Sequence, residues 1–134
     1  MADSLEDRAR QAQRRAYAPY SKYLVGAAIE TTTGEHFVGC NVENASFGLT
    51  ICAERAAVVQ AVTMGFRLFR RIVVVTSSEP PAPPCGACRQ FLHEFGPDLI
   101  VESIGPQSKR TWSLPFPVEP CDTASAPSLS AISA

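Results

Sequence analysis

The sequence has little that would hold a membrane or a nucleic acid. No apolar run approaches the ~18 residues of a membrane-spanning helix. Charge of neither sign dominates: 12 Lys+Arg against 13 Asp+Glu leave a net charge of -1. That balance excludes a protein working through a strong basic field on DNA or RNA, but not one that takes a nucleoside into a small pocket. There is no G-x-G-x-x-G turn, which excludes the dinucleotide fingerprint. Histidine is scarce. The two present, His36 and His93, lack metal-ligand spacing and read as surface residues. The first eight residues are charged with no apolar stretch behind them, so no secretory signal is expected. The expected location is cytoplasmic and reducing. The five cysteines therefore read as thiols or metal ligands before disulfides.

What is present is enough for one folded core. A chain of 134 residues, 46% of them hydrophobic, fits one domain and can bury most of its apolar surface. We expect that domain over 1–114. The remainder, 115–134, is rich in Pro, Ser and Ala, and is expected to be a disordered tail or one that wraps over a neighbour.

Residues 3–18 carry charges and alanines with no breaker and predict a helix, capped by Ser4 and ended by Pro19. Tyr23–Glu30 and His36–Val42 read as two strands joined by a turn at Thr33–Glu35. Residues 43–50 read as a loop. CAERAAVVQAVTM, residues 52–64, predicts a largely buried helix, with Ala56, Val59 and Val62 near helical spacing. The β-branched run 71–76 suits a central strand covered on both faces. Four prolines within 79–84 require a loop. A helix over 86–95, a strand over 99–104 and a fifth strand over 109–113 complete the pattern. The order α-β-β-α-β-α-β-β predicts an α/β fold, a three-layer α/β/α sandwich on a mixed sheet of about five strands.

Two segments carry chemistry, both at predicted helix starts: Cys52-Ala53-Glu54 and Pro84-Cys85-Gly86-Ala87-Cys88. A C-x-x-C on a first helical turn puts both sulfurs near free backbone N–H groups, which stabilise thiolates. Cys52 at another helix start completes a three-sulfur set. With water in the fourth place, this is the open geometry of a catalytic zinc. Glu54 would sit beside the metal without being needed as a ligand, which is where a proton shuttle belongs. Alone, the C-x-x-C could equally be a redox pair or half of a zinc ribbon. Together the two segments match the known signature of zinc nucleobase deaminases, a match of pattern rather than a derivation of the reaction.

On these residues the chain resembles the small homotetrameric cytidine deaminases of pyrimidine salvage. The matching stretches are Ala16–Lys22, Val25–Ala28, Gly39–Ser46, Ile51–Ala57 and Pro84–Gln90. The resemblance implies hydrolytic deamination of cytidine and 2′-deoxycytidine to the uridines plus ammonia. Water activated by zinc attacks C4, and Glu54 shuttles protons. Cys52, Cys85 and Cys88 would bind Zn²⁺. Asn41 and Glu43 would hold the ribose 3′-hydroxyl, consistent with two polar groups two apart at a strand end facing one side. Tyr23 would pack on the pyrimidine, and the backbone of Ala53 and Pro84 would read the base. Arg55 would withdraw charge from the thiolates. Arg89 reads as structural. Cys40 reads as a small buried residue, and Cys121 as a free thiol.

The family completes each pocket with residues of a neighbouring subunit, here Ala45 and Phe47. It usually carries Tyr where this chain has Phe47, and Phe where it has Tyr23. Its usual aromatic C-terminal segment is compressed here to Ser113-Leu114-Pro115-Phe116-Pro117, which leaves two expectations open: Phe116 is the substitute lid, or the aromatic lid is missing. Deaminases of modified cytidines or of cytosine-containing antibiotics share the zinc signature and stand as the alternative substrates. A non-catalytic zinc and nucleoside binding module is the alternative of another class.

Overall fold

A computed structural model describes residues 3–96 and 98–113. The expected tail, 115–134, and with it Cys121, lies outside the described residues. Three helices and five strands run in the expected order: α1 (Leu5–Gln13), β1 (Gly26–Thr31), β2 (His36–Cys40), α2 (Ala53–Thr63), β3 (Phe69–Val75), α3 (Gly86–His93), β4 (Ile100–Ile104) and β5 (Lys109–Ser113). A short 3₁₀ turn at Phe47–Leu49 interrupts the loop between β2 and α2. The strands form one sheet in the order β2-β1-β3-β4-β5. Only β3 and β4 run parallel, and every other pair is antiparallel. This is the mixed three-layer sandwich expected from the element order.

Each face of the sheet has its own core. Ala27, Ile29, Ile72, Val74 and Val101 pack with Ala53, Ala57, Val58 and Ala61 of α2 and Leu92 of α3. The alternate residues Ala28, Val73, Val75 and Ile104 meet Leu5 and Ala9 of α1. Period-2 alternation sends successive residues to opposite faces. The run Ile72–Val75 is therefore buried on both sides, as its composition predicts. Where α1 stops, charge covers the sheet. His36 of β2 lies 3.1 Å from Glu30 of β1. Arg71 of β3 reaches Glu30 at 3.7 Å and Glu102 of β4 at 3.0 Å. Lys109 of β5 meets Glu102 at 3.6 Å. The ladder crosses all five strands, and it makes His36 a paired residue rather than a free surface one.

Four expectations need correction. The first helix ends at Gln13, not near residue 18. Its start is as expected: Ser4 Oγ accepts from Asp7 N at 3.1 Å, and Asp7 Oδ2 accepts from Ser4 N at 3.2 Å. Its end is overridden by tertiary pairing. Tyr17 N donates to Asn41 O and Tyr17 O accepts from Glu43 N, which draws the chain into an extended path. β1 begins at Gly26 rather than Tyr23, because Val25 N donates to the Asn41 side chain. β2 ends at Cys40, with Val42 forming isolated bridges to Tyr17 and Ile51. The buried stripe of α2 is Ala53, Glu54, Ala57, Val58 and Ala61. Val59, expected inside, is 54% exposed.

That stripe is small for a reason. A Cβ on Gly39 of β2 would lie 2.4 Å from Ala57 N and 2.6 Å from Ala53 O. Helix α2 thus rests on the strand backbone itself, and Gln60 Oε1 accepts the Val38 amide at 3.0 Å. Helix α1 sits as close on the other face, where a Cβ on Gly26 would meet Ala9 O at 2.1 Å. Gly39→Ala should push α2 off the sheet and cost about 1–3 kcal/mol, as overpacking does. The expected outcome is a lower midpoint in thermal unfolding. Gly48→Ala, where an added methyl meets nothing within 4 Å, should leave the midpoint nearly unchanged.

Candidate metal centre and active site

The candidate residues collect at one end of the sheet. Register puts Gly26 of β1 opposite both Cys40 of β2 and Val75 of β3, and Val75 opposite Ile104 of β4. At this end β2 runs on into Asn41–Glu43. The bridge of Val42 to Ile51 closes the loop and delivers Cys52 as the N-cap of α2. β3 runs on through the proline-rich loop to Cys85, the N-cap of α3. Ligands at the carboxyl ends of strands are the general rule for open α/β sheets.

Cys52, Cys85 and Cys88 meet there, with all three sulfurs within 4.8 Å of one another. Their burial is graded: Cys88 is buried, Cys52 half-buried and Cys85 exposed. The donor set fits zinc. Three thiols on two helix N-termini suit a soft, four-coordinate dication with Zn–S bonds of about 2.3 Å, and exposure on the Cys85 side leaves an approach. The protons show the same need for a cation. Cys85 is pulled down to about 2 by the Cys52 and Cys88 thiols that donate to it. Cys88 is pushed far up by its contacts with Cys52 and Cys85, and Cys52 is pushed up mainly through Cys85. One sulfur takes the charge and forces protons onto the others, until a dication removes the conflict. Cys85 Sγ also accepts the Cys88 amide at 3.4 Å. Arg55 Nη2 lies 3.3 Å from Cys52 Sγ and 3.3 Å from Thr50 O. It offers the positive charge that a three-thiolate set calls for.

Glu54 stands in the first turn of α2 beside this cluster and is only 7% exposed. Burial pushes its carboxyl above the ordinary range, and its own backbone N–H works against that rise. A buried carboxyl that holds its proton more tightly than usual is suited to carrying protons near neutral pH.

The remaining residues are placed as follows. Ala53 is buried at the first position of α2. Pro84 is buried, and its carbonyl already accepts from Arg89 Nε at 3.0 Å. Asn41, 8% exposed, accepts from Val25 N at 2.9 Å and donates to Tyr23 O at 2.8 Å. Glu43 accepts from Tyr20 N, Ser21 N and Ser21 Oγ. Asn41 and Glu43 do face one side, and what they face is the 20–25 segment. Both keep unused acceptor capacity. Tyr23 is half-buried, while Ala45 and Phe47 are exposed. Phe116 lies outside the described residues. Cys40 is half-buried, in β2 and apart from the sulfur cluster.

Sequence reasoning missed the residues that hold the Cys85 loop. Buried Ser103 of β4 donates to Ala82 O at 2.8 Å. Glu79 accepts from Gln107 N at 2.8 Å and from Ser108 Oγ. No local pattern marks these contacts, which join positions more than twenty residues apart.

Comparison with known proteins bears on what this geometry is for. Residues 2–103 match the family model described as cytidine and deoxycytidylate deaminase zinc-binding region. The chain belongs to that family. The match spans all three clustered cysteines and Glu54, and it makes the chain a zinc-dependent deaminase. A probable cytidine deaminase of Dictyostelium discoideum is 50% identical over 75% of this chain and 68% of its own length. A cytidine deaminase of Sporosarcina psychrophila is 48% identical over 64% of this chain and 63% of its own length. A crystal structure of cytidine deaminase from Burkholderia pseudomallei superposes with a TM-score of 0.79 at 48% identity, covering 81% of this chain and 89% of that one. Among the described residues no helix is long and apolar enough to cross a membrane.

If the sulfur cluster is the metal centre, purified protein should carry about one zinc per chain. Cys88→Ala should lose it and Cys40→Ala should keep it, as read by elemental analysis of folded samples.

Proposed function

We propose that the chain hydrolyses cytidine and 2′-deoxycytidine to uridine and 2′-deoxyuridine plus ammonia, with Cys52, Cys85 and Cys88 holding the zinc. The observation that carries this reading is Glu54: a buried carboxyl, raised by burial, next to a three-thiol cluster of which it is not a member. Bound zinc supplies the Lewis acidity that makes water a nucleophile near neutral pH. In the net reaction a C4–O bond forms, the C4–N bond breaks, and protons must travel from water to the leaving amine. Glu54 is the group placed to move them, first to N3 of the pyrimidine and then to the departing nitrogen. Its burial limits exchange of that proton with bulk solvent. Arg55 supports the cluster by drawing charge from Cys52.

Asn41 and Glu43 bind the sugar in this reading, through the hydrogen-bonding capacity left after they anchor the 20–25 segment. Two such groups would stand unpaired against free cytosine, which favours a nucleoside over a bare base. The backbone of Ala53 and Pro84 borders the base, with the Tyr23 ring against the pyrimidine. The relatives' printed activity, cytidine deaminase, supports the choice of substrate. A cytoplasmic place in pyrimidine salvage goes with it.

The site is completed in this reading by a second copy of the chain, within a tetramer. Phe47 is 83% exposed and Leu49 66%, with Ile51, Val42, Tyr17 and Tyr20 also exposed around the same loop. An exposed apolar patch of this kind marks an interface. Ala45 and Phe47 would then border the neighbour's pocket.

Glu54→Gln should keep its zinc and lose turnover of cytidine by about 10²–10⁴-fold, as loss of general acid–base catalysis does. The measurement is loss of cytidine absorbance with zinc assayed on the same sample. A glutamine variant as active as the parent would remove Glu54 from the chemistry. Phe47→Asp should elute as a smaller species in size-exclusion chromatography and turn over cytidine more slowly, with zinc content unchanged.

A further inference from the structure

Two of the three sulfurs sit on a helix with little packing of its own. Helix α3 has eight residues, and only Cys88 and Leu92 among them are buried. The height of its first turn, and with it Cys85 and Cys88, therefore depends on the chain that enters it. That chain is poor in donors. Pro80, Pro81, Pro83 and Pro84 have no backbone N–H, so within 79–84 only Glu79 and Ala82 keep one. Hydrogen bonds must hold this segment chiefly through its carbonyls and side chains, from donors elsewhere in the fold.

Those donors come from the far side of the sheet. Ser103 of β4 donates its hydroxyl to Ala82 O at 2.8 Å, three residues before Cys85. The turn before β5 gives Gln107 N, at 2.8 Å, and Ser108 Oγ to the exposed Glu79 carboxylate. The loop also lies directly on the end of β4. A Cβ on Gly105 would stand 2.5 Å from Ser78 O and 3.1 Å from Pro81 Cγ, and the Pro81 side chain is fully buried.

Ser103 is out of place as a packing residue. It is 0% exposed. It pairs with Val74 of β3 and shares a face with Val101, and both valines belong to the cluster against α2 and α3. A β-branched apolar residue fills such a strand position better than serine. A buried hydroxyl is costly unless it is paired, and this one is paired with the metal loop. Its bond, deep in the sheet and away from water, is the one placed to fix the loop.

We propose that Ser103 is a positioning residue for the metal centre. Through Ala82 O it holds the loop that sets Cys85 and Cys88 against Cys52, and so governs how firmly zinc is retained. This rests on the three-thiol zinc reading above and adds to it a residue that is not itself a ligand. Groups that orient metal ligands from behind are worth about 10–100-fold in metal affinity.

The test compares zinc-loaded wild type, Ser103→Ala and Val101→Ala. Val101 lies on the same strand and face and is as deeply buried, but its side chain cannot hydrogen-bond the loop. Three readouts are taken: the rate at which excess chromophoric chelator strips zinc from the folded protein, thermal unfolding of the same samples, and the d–d spectrum after cobalt(II) replaces zinc. Ser103→Ala should release zinc about tenfold faster, which corresponds to about 1.4 kcal/mol. Val101→Ala leaves a cavity and should lower the unfolding midpoint at least as much, yet release zinc within about twofold of the wild-type rate. A cobalt spectrum shifted in Ser103→Ala would place the effect in the resting geometry, and an unshifted one in opening of the loop. With faster release, either supports the proposal. Unchanged release in Ser103→Ala would overturn it. So would equal acceleration in Val101→Ala, which would make zinc retention a matter of overall stability. If Ser103→Ala does not fold, Glu79→Ala decides in its place, since an exposed side chain there holds the same loop. Faster release in that variant supports the proposal, and release at the wild-type rate overturns it. Wild type that carries no zinc would overturn the three-thiol reading and this proposal with it.

Discussion

Cys52 and Cys85 each stand at the N-cap of a helix, so their sulfurs can meet only if α2 and α3 begin at the same end of the sheet. That requirement organises much of the molecule. It is met because α2 lies on the backbone of β2 across Gly39, with no side chain between. It is met also because β3 and β4 are parallel, which places the start of α3 at the carboxyl end of β3. Three sulfurs within 4.8 Å then form a concentration of potential negative charge that two helix N-termini and Arg55 only partly offset. The upward push on Cys88 and the downward pull on Cys85 express what remains. A divalent cation is the natural completion, since it lets every sulfur ionise.

The strands farthest from α2 contribute in a less visible way. The loop from Thr76 to Pro84 must present Cys85 at a fixed height, and prolines alone would set its stiffness but not its position. Ser103 of β4 and the turn before β5 fix it, through Ala82 O and Glu79. Arg89, inside α3, reaches back to Pro84 O and ties the loop to the helix it begins. The metal centre is therefore anchored to the sheet from both sides, by Gly39 and Gln60 at α2 and by β4 and β5 at α3.

How much of this could be read from the sequence depends on how local the cause is. The type and order of the three α-helices and five strands were legible, because period-2 runs, helix formers and proline breakers act within a few residues. The sulfur set and Glu54 were legible because the chemistry imposes short spacings at helix starts. Helix α1 was read too long because the signal that ends it, pairing of Tyr17 with the Asn41–Glu43 segment, comes from distant residues. The buried face of α2 was misread because backbone contact with Gly39 rewards alanine there, while the larger Val59 is left outside. Asn41 and Glu43 were legible as a pair facing one way. Their grip on residues 20–25 was not, because it joins segments 16 to 23 positions apart.

That grip separates two kinds of control within one site. The residues proposed to move protons and hold the metal sit on helix starts, braced by the sheet. The residues proposed to recognise the substrate sit on irregular connections: 20–25, 41–43 and the exposed loop around Phe47. Asn41 and Glu43 join the two sets, since the side chains proposed to hold the sugar also hold the wall that carries Tyr23. A change at either would move the wall as well as remove a contact, so its effect on affinity would not be that of one hydrogen bond. Tyr23 and Phe47, where the resemblance implies Phe and Tyr, fall on these connections and outside the clustered cysteines and Glu54. Altering a connection leaves the helix starts and their protons in place, so substrate preference can shift without rebuilding the chemistry.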